Sequence, residues 1–337
     1  MRQQLQGSPA SGRAGALAVV ICIALACHSP TGPSVQAPSP EPSPGPTVEA
    51  PALTCPAPIS AATTEGAVAV AYQVPAPTGG AAPVEVACSP PSGASFAVGT
   101  TVVRCTATDA AERTGTCDFP VTVTRTPVLS RTRFLAFGDS VTAGVVATVN
   151  PSGDPFFLLQ DVPGDSYPAV LARLLAERYP AQAITVSNEG KGGEKAVDGV
   201  GRAQGLIAAQ RPEVVLLLDG YNDLSTAGEA GIAPAIAAIT DIAKDARFRG
   251  ARVFLATLTP PAPGGNRGIG NQTVVRFNEA LREVARGEGA VLVDLYAAMS
   301  DAPAVYNSDD NRHPSLEGYR KMAETFLAAI REALETP

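Results

Sequence analysis

Five short, continuously apolar runs are spaced through residues 131–337, and stretches with helical periodicity lie between them. Apolar runs of strand length form strands that are buried on both faces, which is typical of a parallel sheet covered by helices. The sequence therefore predicts a three-layer α/β domain with a five-stranded parallel sheet. The predicted strands are Phe134–Phe137, Ile184–Ser187, Val214–Leu218, Val253–Ala256 and Val291–Val293.

Two of the intervening segments show the three- and four-residue spacing of an amphipathic helix. One begins near Tyr167 and carries Leu171 and Leu175, and the last carries Tyr319 and Phe326. In an alternating α/β domain the active site lies beyond the carboxyl ends of the strands. Polar residues that directly follow a predicted strand are therefore candidate functional residues.

Polar motifs follow four of the five predicted strands. Ser140 comes after the first strand, Gly193 closes a glycine-rich loop after the second, and Asn222 follows the third. Asp310 and His313 follow the fifth strand with a spacing of three. The chain has two histidines, His28 and His313. Because a serine hydroxyl needs a base to become a nucleophile, His313 is the candidate base for Ser140, and Asp310 can orient its imidazole.

In this order and at these strand ends, the motifs resemble those of the SGNH hydrolases, also called the GDSL lipase/esterase family. The resemblance covers about residues 131–335 and implies a flavodoxin-like fold. It implies that Ser140 is the nucleophile of a triad with Asp310 and His313. It also implies an oxyanion hole made by the backbone N–H groups of Ser140 and Gly193 and the side-chain amide of Asn222. No metal or cofactor is expected for such chemistry.

Residues 52–127 have a different character, because short β-rich runs alternate there with turn residues. This pattern predicts a small all-β antiparallel sandwich, and Val68–Tyr72 is one of its candidate strands. Its four cysteines are disulfide candidates: Cys55, Cys88, Cys105 and Cys117. The pairing of Cys55 with Cys117 and of Cys88 with Cys105 is favoured, because first and last strands usually adjoin in such sandwiches. A Cys105–Cys117 bridge across one hairpin is the alternative.

The stretches Cys88–Gly93 and Phe96–Asp109 resemble the hyalin-repeat (HYR) domain, an immunoglobulin-like module. The resemblance covers residues 53–125. Modules of this kind carry no catalytic residues and are associated with adhesion or spacing. Two roles follow as alternatives, a rigid spacer and a domain that binds a surface partner.

The N-terminal region has the features of an export signal. Arg2 and Arg13 precede an apolar run at 14–26, which is too short to span a bilayer but fits a signal peptide over residues 1–26. The small residues before Cys27 resemble a lipobox, which implies that Cys27 is lipidated; ordinary signal cleavage and a retained anchor are the alternatives. Each of these places the mature chain outside the cytoplasm. Residues 27–51 are rich in proline and predict an extended linker.

Composition excludes other classes of function. The net charge of −7 argues against a nucleic-acid partner, and the few cysteines and histidines form no zinc-ligand pattern. The expected function is therefore an extracytoplasmic serine esterase that hydrolyses lipolytic or short-chain acyl esters. Two alternatives remain, an esterase that removes O-acetyl groups from polysaccharide and a catalytically dead surface-binding lipoprotein. Its partners would be a small ester or acylated glycan, with membrane contact only through the lipid anchor.

The apolar run at 155–159 is the one sequence feature that could bear on acyl-group choice. Phe156 and Phe157 lie in this run, in the segment that follows Ser140. They are candidate substrate-binding residues that would line an acyl pocket, and the alternative is that the run covers part of the core.

Overall fold

The computed structural model describes residues 48–154, 156–262 and 269–336. The predicted signal peptide, Cys27 and most of the proline-rich linker lie outside the described residues. In the part of the chain that is described, no helix combines the length and apolar character needed to cross a membrane.

The small N-terminal domain is built from eight strands. They are β1 (Ala52–Leu53), β2 (Ile59–Thr63), β3 (Ala67–Ala69), β4 (Pro77–Thr78), β5 (Val84–Ser89), β6 (Ser95–Ala97), β7 (Gly99–Asp109) and β8 (Thr114–Arg125). Four of them form a sheet in the order β2-β8-β7-β5, and β1–β4 and β3–β6 are separate pairs. The domain is an all-β, immunoglobulin-like fold.

Two details of this domain differ from the predicted antiparallel sandwich. Strand β2 runs parallel to β8, which is possible because the two strands are joined by most of the domain and not by a hairpin. The predicted strand Val68–Tyr72 is shorter than expected and ends at Ala69. Tyr72 bonds instead to the Ser92 hydroxyl, which accepts from its N–H at 2.8 Å and donates to its carbonyl oxygen at 2.6 Å.

Two disulfides support the small core of this domain. Cys88 lies directly opposite Cys105 in the β5–β7 register and is bonded to it, and Cys55 is bonded to Cys117 of β8. This is the pairing that the strand order favoured. The buried side chains around the bridges include Phe96 and Phe119.

The second domain contains the predicted five-stranded parallel sheet. Its strands are β10 (Arg133–Gly138), β13 (Thr185–Gly190), β14 (Val214–Leu218), β15 (Arg252–Ala256) and β16 (Val291–Val293). Their order in the sheet is β13-β10-β14-β15-β16, and every neighbouring pair is parallel. The strands outside this sheet are β9 (Val128–Leu129), β11 (Val145–Thr148), β12 (Leu158–Asp161) and β17 (Glu335–Thr336). All five residues of the central strand β14 are buried, which confirms that both faces of the sheet are covered.

The helices connect and cover these strands. They are α1 (Ser140–Ala143), α2 (Tyr167–Arg178), α3 (Ala196–Gln210), α4 (Tyr221–Ala227), α5 (Ile232–Phe248), α6 (Asn271–Glu288), α7 (Leu295–Met299), α8 (Pro303–Tyr306) and α9 (Leu316–Leu334), with a short 3₁₀ helix at Gly228–Gly231. The helices α2 and α9 pack together through the stacked rings of Tyr167 and Phe326, whose centroids are 4.8 Å apart. The helix α5 lies between α3 and α6.

The segment that joins the two domains pairs with the C-terminus. Strand β9 is antiparallel to β17, and Leu129 exchanges two hydrogen bonds with the side chain of Gln182. Arg178 and Tyr179 both donate to Glu335 of β17. Residues 128–130 therefore belong structurally with the α/β domain, three residues before its predicted start.

Candidate active site

The nucleophile candidate lies at the carboxyl end of a central strand. Strand β10 ends at Gly138, and Ser140 is the first residue of the short helix α1. Asp139 caps this helix, because its Oδ1 accepts from the backbone N–H of Val141 at 2.9 Å. The first N–H groups of a helix have no acceptor within the helix. The turn therefore leaves the Ser140 N–H free of a helical acceptor beside its own hydroxyl.

Ser140, His313 and Asp310 form a connected triad. Ser140 Oγ is 2.9 Å from His313 Nε2, and His313 Nδ1 is 2.7 Å from Asp310 Oδ2. The other carboxylate oxygen of Asp310 accepts from the backbone N–H groups of Arg312 and His313, at 3.0 and 2.9 Å. Ser140 is 7% exposed and His313 is 4% exposed.

The local hydrogen bonds keep Asp310 ionised. Burial opposes its charge, but the hydrogen bonds from the His313 ring and from the two backbone N–H groups outweigh burial and lower its pKa. An ionised Asp310 accepts the Nδ1–H of His313, which leaves Nε2 as the acceptor that faces Ser140. The loop thus holds the imidazole in the tautomer that a general base needs.

Gly193 and Asn222 lie beside the serine, in a cavity of about 390 Å³. Its lining residues are Ser140, Val145, Leu159, Asp161, Gly192, Gly193, Asn222, Arg312 and His313. Gly193 has φ +76°, a conformation that glycine adopts without strain. A Cβ added to Gly190 would lie 2.1 Å from the backbone nitrogen of Ala143, so the glycine-rich loop can pack directly on α1.

The side chain of Asn222 has a defined orientation. Its Nδ2 donates to the carbonyl oxygen of Glu194 at 2.8 Å and to Asp139 Oδ2 at 3.2 Å. Its Oδ1 accepts from Arg312 Nη2 at 2.5 Å. The structure therefore brings together all five residues that the sequence predicts for the triad and the oxyanion hole.

The sequence analysis did not predict the role of Arg202, which bonds to two segments of the site. Arg202 of α3 donates to the carbonyl oxygens of Glu189 at 2.7 Å and Gly138 at 3.3 Å, and it forms an ion pair with Glu194. Its guanidinium also lies over the ring of Phe137, 4.2 Å from the centroid. Arg202 thus fixes the end of β10 against the glycine-rich loop. One arginine within a helix gives no sequence signal for this role.

Three carboxyl groups are buried close to the candidate active site. Burial raises the pKa of Asp139 to about 6, and it also raises the pKa values of Asp219 and Asp223. Asp219 follows β14 and accepts from the N–H of Gly220 at 2.8 Å. Within the described residues its second oxygen, Oδ2, has no hydrogen-bond partner. The charge of nearby Asp139 further raises the pKa of Asp219.

The structure does not place the predicted acyl-pocket residues at the cavity. The side chain of Phe156 is 74% exposed, and neither Phe156 nor Phe157 is among the described residues that line the cavity beside Ser140. The strands β11 and β12 form a hairpin in which Leu159 pairs with Ala147, and Phe156 and Phe157 precede the first paired residue of β12, Leu158. Leu159 and Val145 are the apolar side chains that line the cavity.

The described residues contain no group of three or more His, Cys, Asp or Glu side chains arranged to hold a metal ion. The site consists of a serine hydroxyl, an oriented imidazole and amide donors. These groups suffice for nucleophilic acyl transfer.

A comparison with protein families assigns both domains. The GDSL-like lipase/acylhydrolase family matches residues 136–321, which is more than half of the chain, and the protein belongs to this family. The HYR domain family matches residues 47–123. The chain thus carries a GDSL-like lipase/acylhydrolase domain, preceded by an HYR domain.

Individual relatives are distant. The chain is 25% identical over 132 residues to a multidomain esterase of Ruminococcus flavefaciens, and the match covers 38% of this chain and 17% of that protein. Similar solved structures include an acetylxylan esterase from Geobacillus stearothermophilus (20% identity, TM-score 0.47, 60% of this chain and 94% of that one). A lipase/acylhydrolase from Enterococcus faecalis is also similar (20% identity, TM-score 0.48, 60% and 97%).

Proposed function

We propose that the protein is an extracytoplasmic serine esterase that hydrolyses short-chain carboxylic esters through an acyl-serine intermediate. One observation carries the proposal: Ser140, His313 and Asp310 are joined by hydrogen bonds of 2.9 and 2.7 Å at the edge of a cavity. This geometry supports a nucleophile, a base and a group that orients the base, all connected before substrate binds.

Acylation would begin with His313 Nε2 taking the hydroxyl proton of Ser140. The Oγ atom then bonds to the ester carbonyl carbon, and the carbonyl oxygen becomes an oxyanion. The N–H groups of Ser140 and Gly193 and the Asn222 amide would donate to that oxygen. When the tetrahedral intermediate collapses, the bond to the alcohol oxygen breaks and His313 returns the proton to the leaving alcohol.

Deacylation repeats these steps with water in place of the serine. His313 takes a proton from water, the hydroxide oxygen bonds to the acyl carbon, and the Ser140 Oγ leaves and recovers its proton. The products are the free acid and the restored enzyme.

The cavity lining supports a small acyl group. Two of the lining side chains, Val145 and Leu159, are apolar, and they share the cavity with charged Asp161 and Arg312. A long acyl chain needs a continuous apolar wall, since each buried methylene contributes about 0.8 kcal/mol. An acetyl or butyryl group needs little such surface.

The same polar lining supports a second candidate, an esterase that removes O-acetyl groups from polysaccharide. The carboxylate of Asp161 could accept hydrogen bonds from the hydroxyl groups of a sugar next to the ester. In either case the two disulfides of the HYR domain support an oxidising compartment outside the cytoplasm. Lipidation of Cys27 and a surface partner for the HYR domain stay predictions from sequence.

The proposal is tested by hydrolysis of para-nitrophenyl acetate by the wild type, Ser140→Ala and the control Ser60→Ala, an exposed serine of β2. We expect Ser140→Ala to lower kcat by at least about 10⁴-fold. Ser60→Ala should be unaffected. A folded Ser140→Ala protein with wild-type activity would exclude the acyl-serine route. Comparing acetate release from an acetylated polysaccharide with hydrolysis of tributyrin then separates the two substrate classes.

A further inference from the structure

Arg312 occupies an unusual position between the two catalytic residues of its loop and the oxyanion hole. It precedes His313, lines the same cavity as Ser140, and bonds through Nη2 to the side-chain oxygen of Asn222. The charge of Arg312 also acts on nearby Asp139, whose pKa it lowers. The side-chain hydrogen bond of its guanidinium goes to the amide oxygen of Asn222, at 2.5 Å.

This contact decides which end of the Asn222 amide faces which partner. A guanidinium has N–H donors and no acceptor, so only the Oδ1 end of the amide can face it. The reverse orientation would place two sets of N–H donors against each other and would turn an acceptor toward the carbonyl oxygen of Glu194. Arg312 and Glu194 thus select the orientation in which Nδ2 points toward Asp139 and the serine turn.

The contact also affects how strongly the Asn222 amide can donate to the oxyanion that forms during the reaction. The shorter Nδ2 bond goes to Glu194 O at 2.8 Å, and the longer one goes to Asp139 Oδ2 at 3.2 Å. The N–H that makes the longer bond is the one an oxyanion above Ser140 can share. The guanidinium of Arg312 donates to Oδ1, at the other end of the amide group. Its positive charge polarises the amide and makes that N–H a better hydrogen-bond donor.

We propose that Arg312 is a positioning residue of the oxyanion hole, which holds Asn222 with Nδ2 toward the reacting carbonyl and strengthens its donation. The inference rests on the proposed function. Arg312 acts through Asn222 and does not itself bind the substrate. Its contribution should therefore be realised in the transition state, where the oxyanion exists, and should be absent without the Asn222 amide.

The test uses the full chain and neutral para-nitrophenyl acetate, with Arg312→Met to keep the apolar stem and Arg320→Met as a control. Arg320 is an exposed arginine of α9 that pairs with Glu324. We expect Arg312→Met to lower kcat by roughly 10- to 100-fold, as a misplaced catalytic group does, while KM changes by less than about twofold. Arg320→Met should match the wild type. Wild-type kcat in folded Arg312→Met would overturn the inference.

A double-mutant cycle with Asn222→Ala separates positioning from a structural or substrate-binding role. If Arg312 acts through Asn222, adding Arg312→Met to Asn222→Ala should change kcat by less than about twofold. A full, multiplicative loss in that background would show that Arg312 acts independently. The cycle can be run with Arg312→Lys if the Met variant does not fold.

Substrate charge provides the second readout. If Arg312 bound an anionic substrate directly, Arg312→Met would raise KM for para-nitrophenyl hemisuccinate and leave KM for the acetate ester unchanged, which would contradict the positioning role. Equal kcat losses for both esters would support it. A wild type that is inactive on every ester, and equal to Ser140→Ala, would instead refute the proposed function.

Discussion

The HYR domain and the hydrolase domain keep their strands together by different means. In the HYR domain, strands such as β5 alternate half-buried and exposed residues, and two disulfides link strands around a small buried cluster. In the hydrolase domain, β14 is buried along its whole length and the sheet lies within a large core. A small domain buries little apolar surface, and cross-links that restrict its unfolded chain compensate for this.

The difference extends to where polar groups are buried. The hydrolase domain encloses Asp139, Asp219, Asp223, Asp310 and His313 at the carboxyl end of its sheet. The HYR domain buries Asp109, whose carboxylate accepts from three backbone N–H groups and from Arg113. Those bonds lower the pKa of Asp109, and the bond from the Ala81 N–H contributes most to the shift. The HYR domain thus uses a buried carboxylate to fix a loop, whereas the hydrolase domain gathers several buried polar side chains at its candidate active site.

The largest expected effect tests this contrast with one chemical change made in both domains. Asp310→Asn removes the charge that orients His313, and we expect kcat to fall by about 10³- to 10⁴-fold on para-nitrophenyl acetate. Asp118→Asn makes the same change in the exposed Arg104–Asp118 pair of the HYR domain and should leave kcat unchanged. Similar kcat values for the two variants would mean that Asp310 does not orient the base.

Reduction of the disulfides should affect one domain and spare the other. Loss of a native bridge typically costs about 2–5 kcal/mol in a small domain. In dithiothreitol we therefore expect the HYR domain to unfold at lower urea concentration, while esterase activity is unchanged. The measurement is urea unfolding by circular dichroism with a parallel activity assay. Activity that declines together with the HYR transition would show that the hydrolase domain depends on its neighbour.

Two truncations locate the border between the domains. A chain that begins at residue 127 retains Val128–Leu129, whereas one that begins at 131 loses the β9–β17 pair and the hydrogen bonds of Leu129 and Ser130 to Gln182 and Leu334. We expect both to be active esterases. The shorter one should be less stable by about 2–4 kcal/mol, since each lost hydrogen bond contributes about 1 kcal/mol and Leu129 loses its burial. Equal unfolding midpoints would place the border at 131.

Buried Asp219 should make the hydrolase domain less stable as the pH rises. Its pKa is raised in the folded state above the unfolded value of about 3.9, so the folded protein binds more protons between the two values. Unfolding free energy therefore falls as pH rises through that window. Asp219→Asn keeps an acceptor for the N–H of Gly220 and removes the titration. We expect the variant to gain stability over the wild type as pH goes from 4 to 8, measured by thermal unfolding; a constant difference would show that Asp219 does not titrate there.

The sequence predicted the parts of the fold that depend on pattern. Continuous apolar runs predicted the sheet. The motifs after the strands predicted that Ser140, His313 and Asn222 lie together, because the carboxyl ends of parallel strands meet at one edge of the sheet. Arg202 and Arg312 gave no signal, since their roles depend on contacts between loops far apart in sequence. Phe156 was misleading for a related reason. A local apolar run does not show which of its side chains face a cavity, and Phe156 is exposed.

The residues that line the cavity indicate that acyl preference depends on Leu159 and not on Phe156. Leu159 is 58% exposed, yet its side chain borders the same cavity as Ser140, whereas Phe156 does not. A butyryl group has two more methylenes than an acetyl group, and each gains up to about 0.8 kcal/mol on full burial. Partial burial against Leu159 should favour butyrate by a few-fold in kcat/KM.

Leu159→Ser should then reduce kcat/KM for para-nitrophenyl butyrate more than for the acetate. Phe156→Ser, the matched control at an exposed position, should leave kcat/KM unchanged for both esters. If Phe156→Ser lowers the butyrate preference and Leu159→Ser does not, the acyl group lies along the tip of the hairpin and not in the cavity.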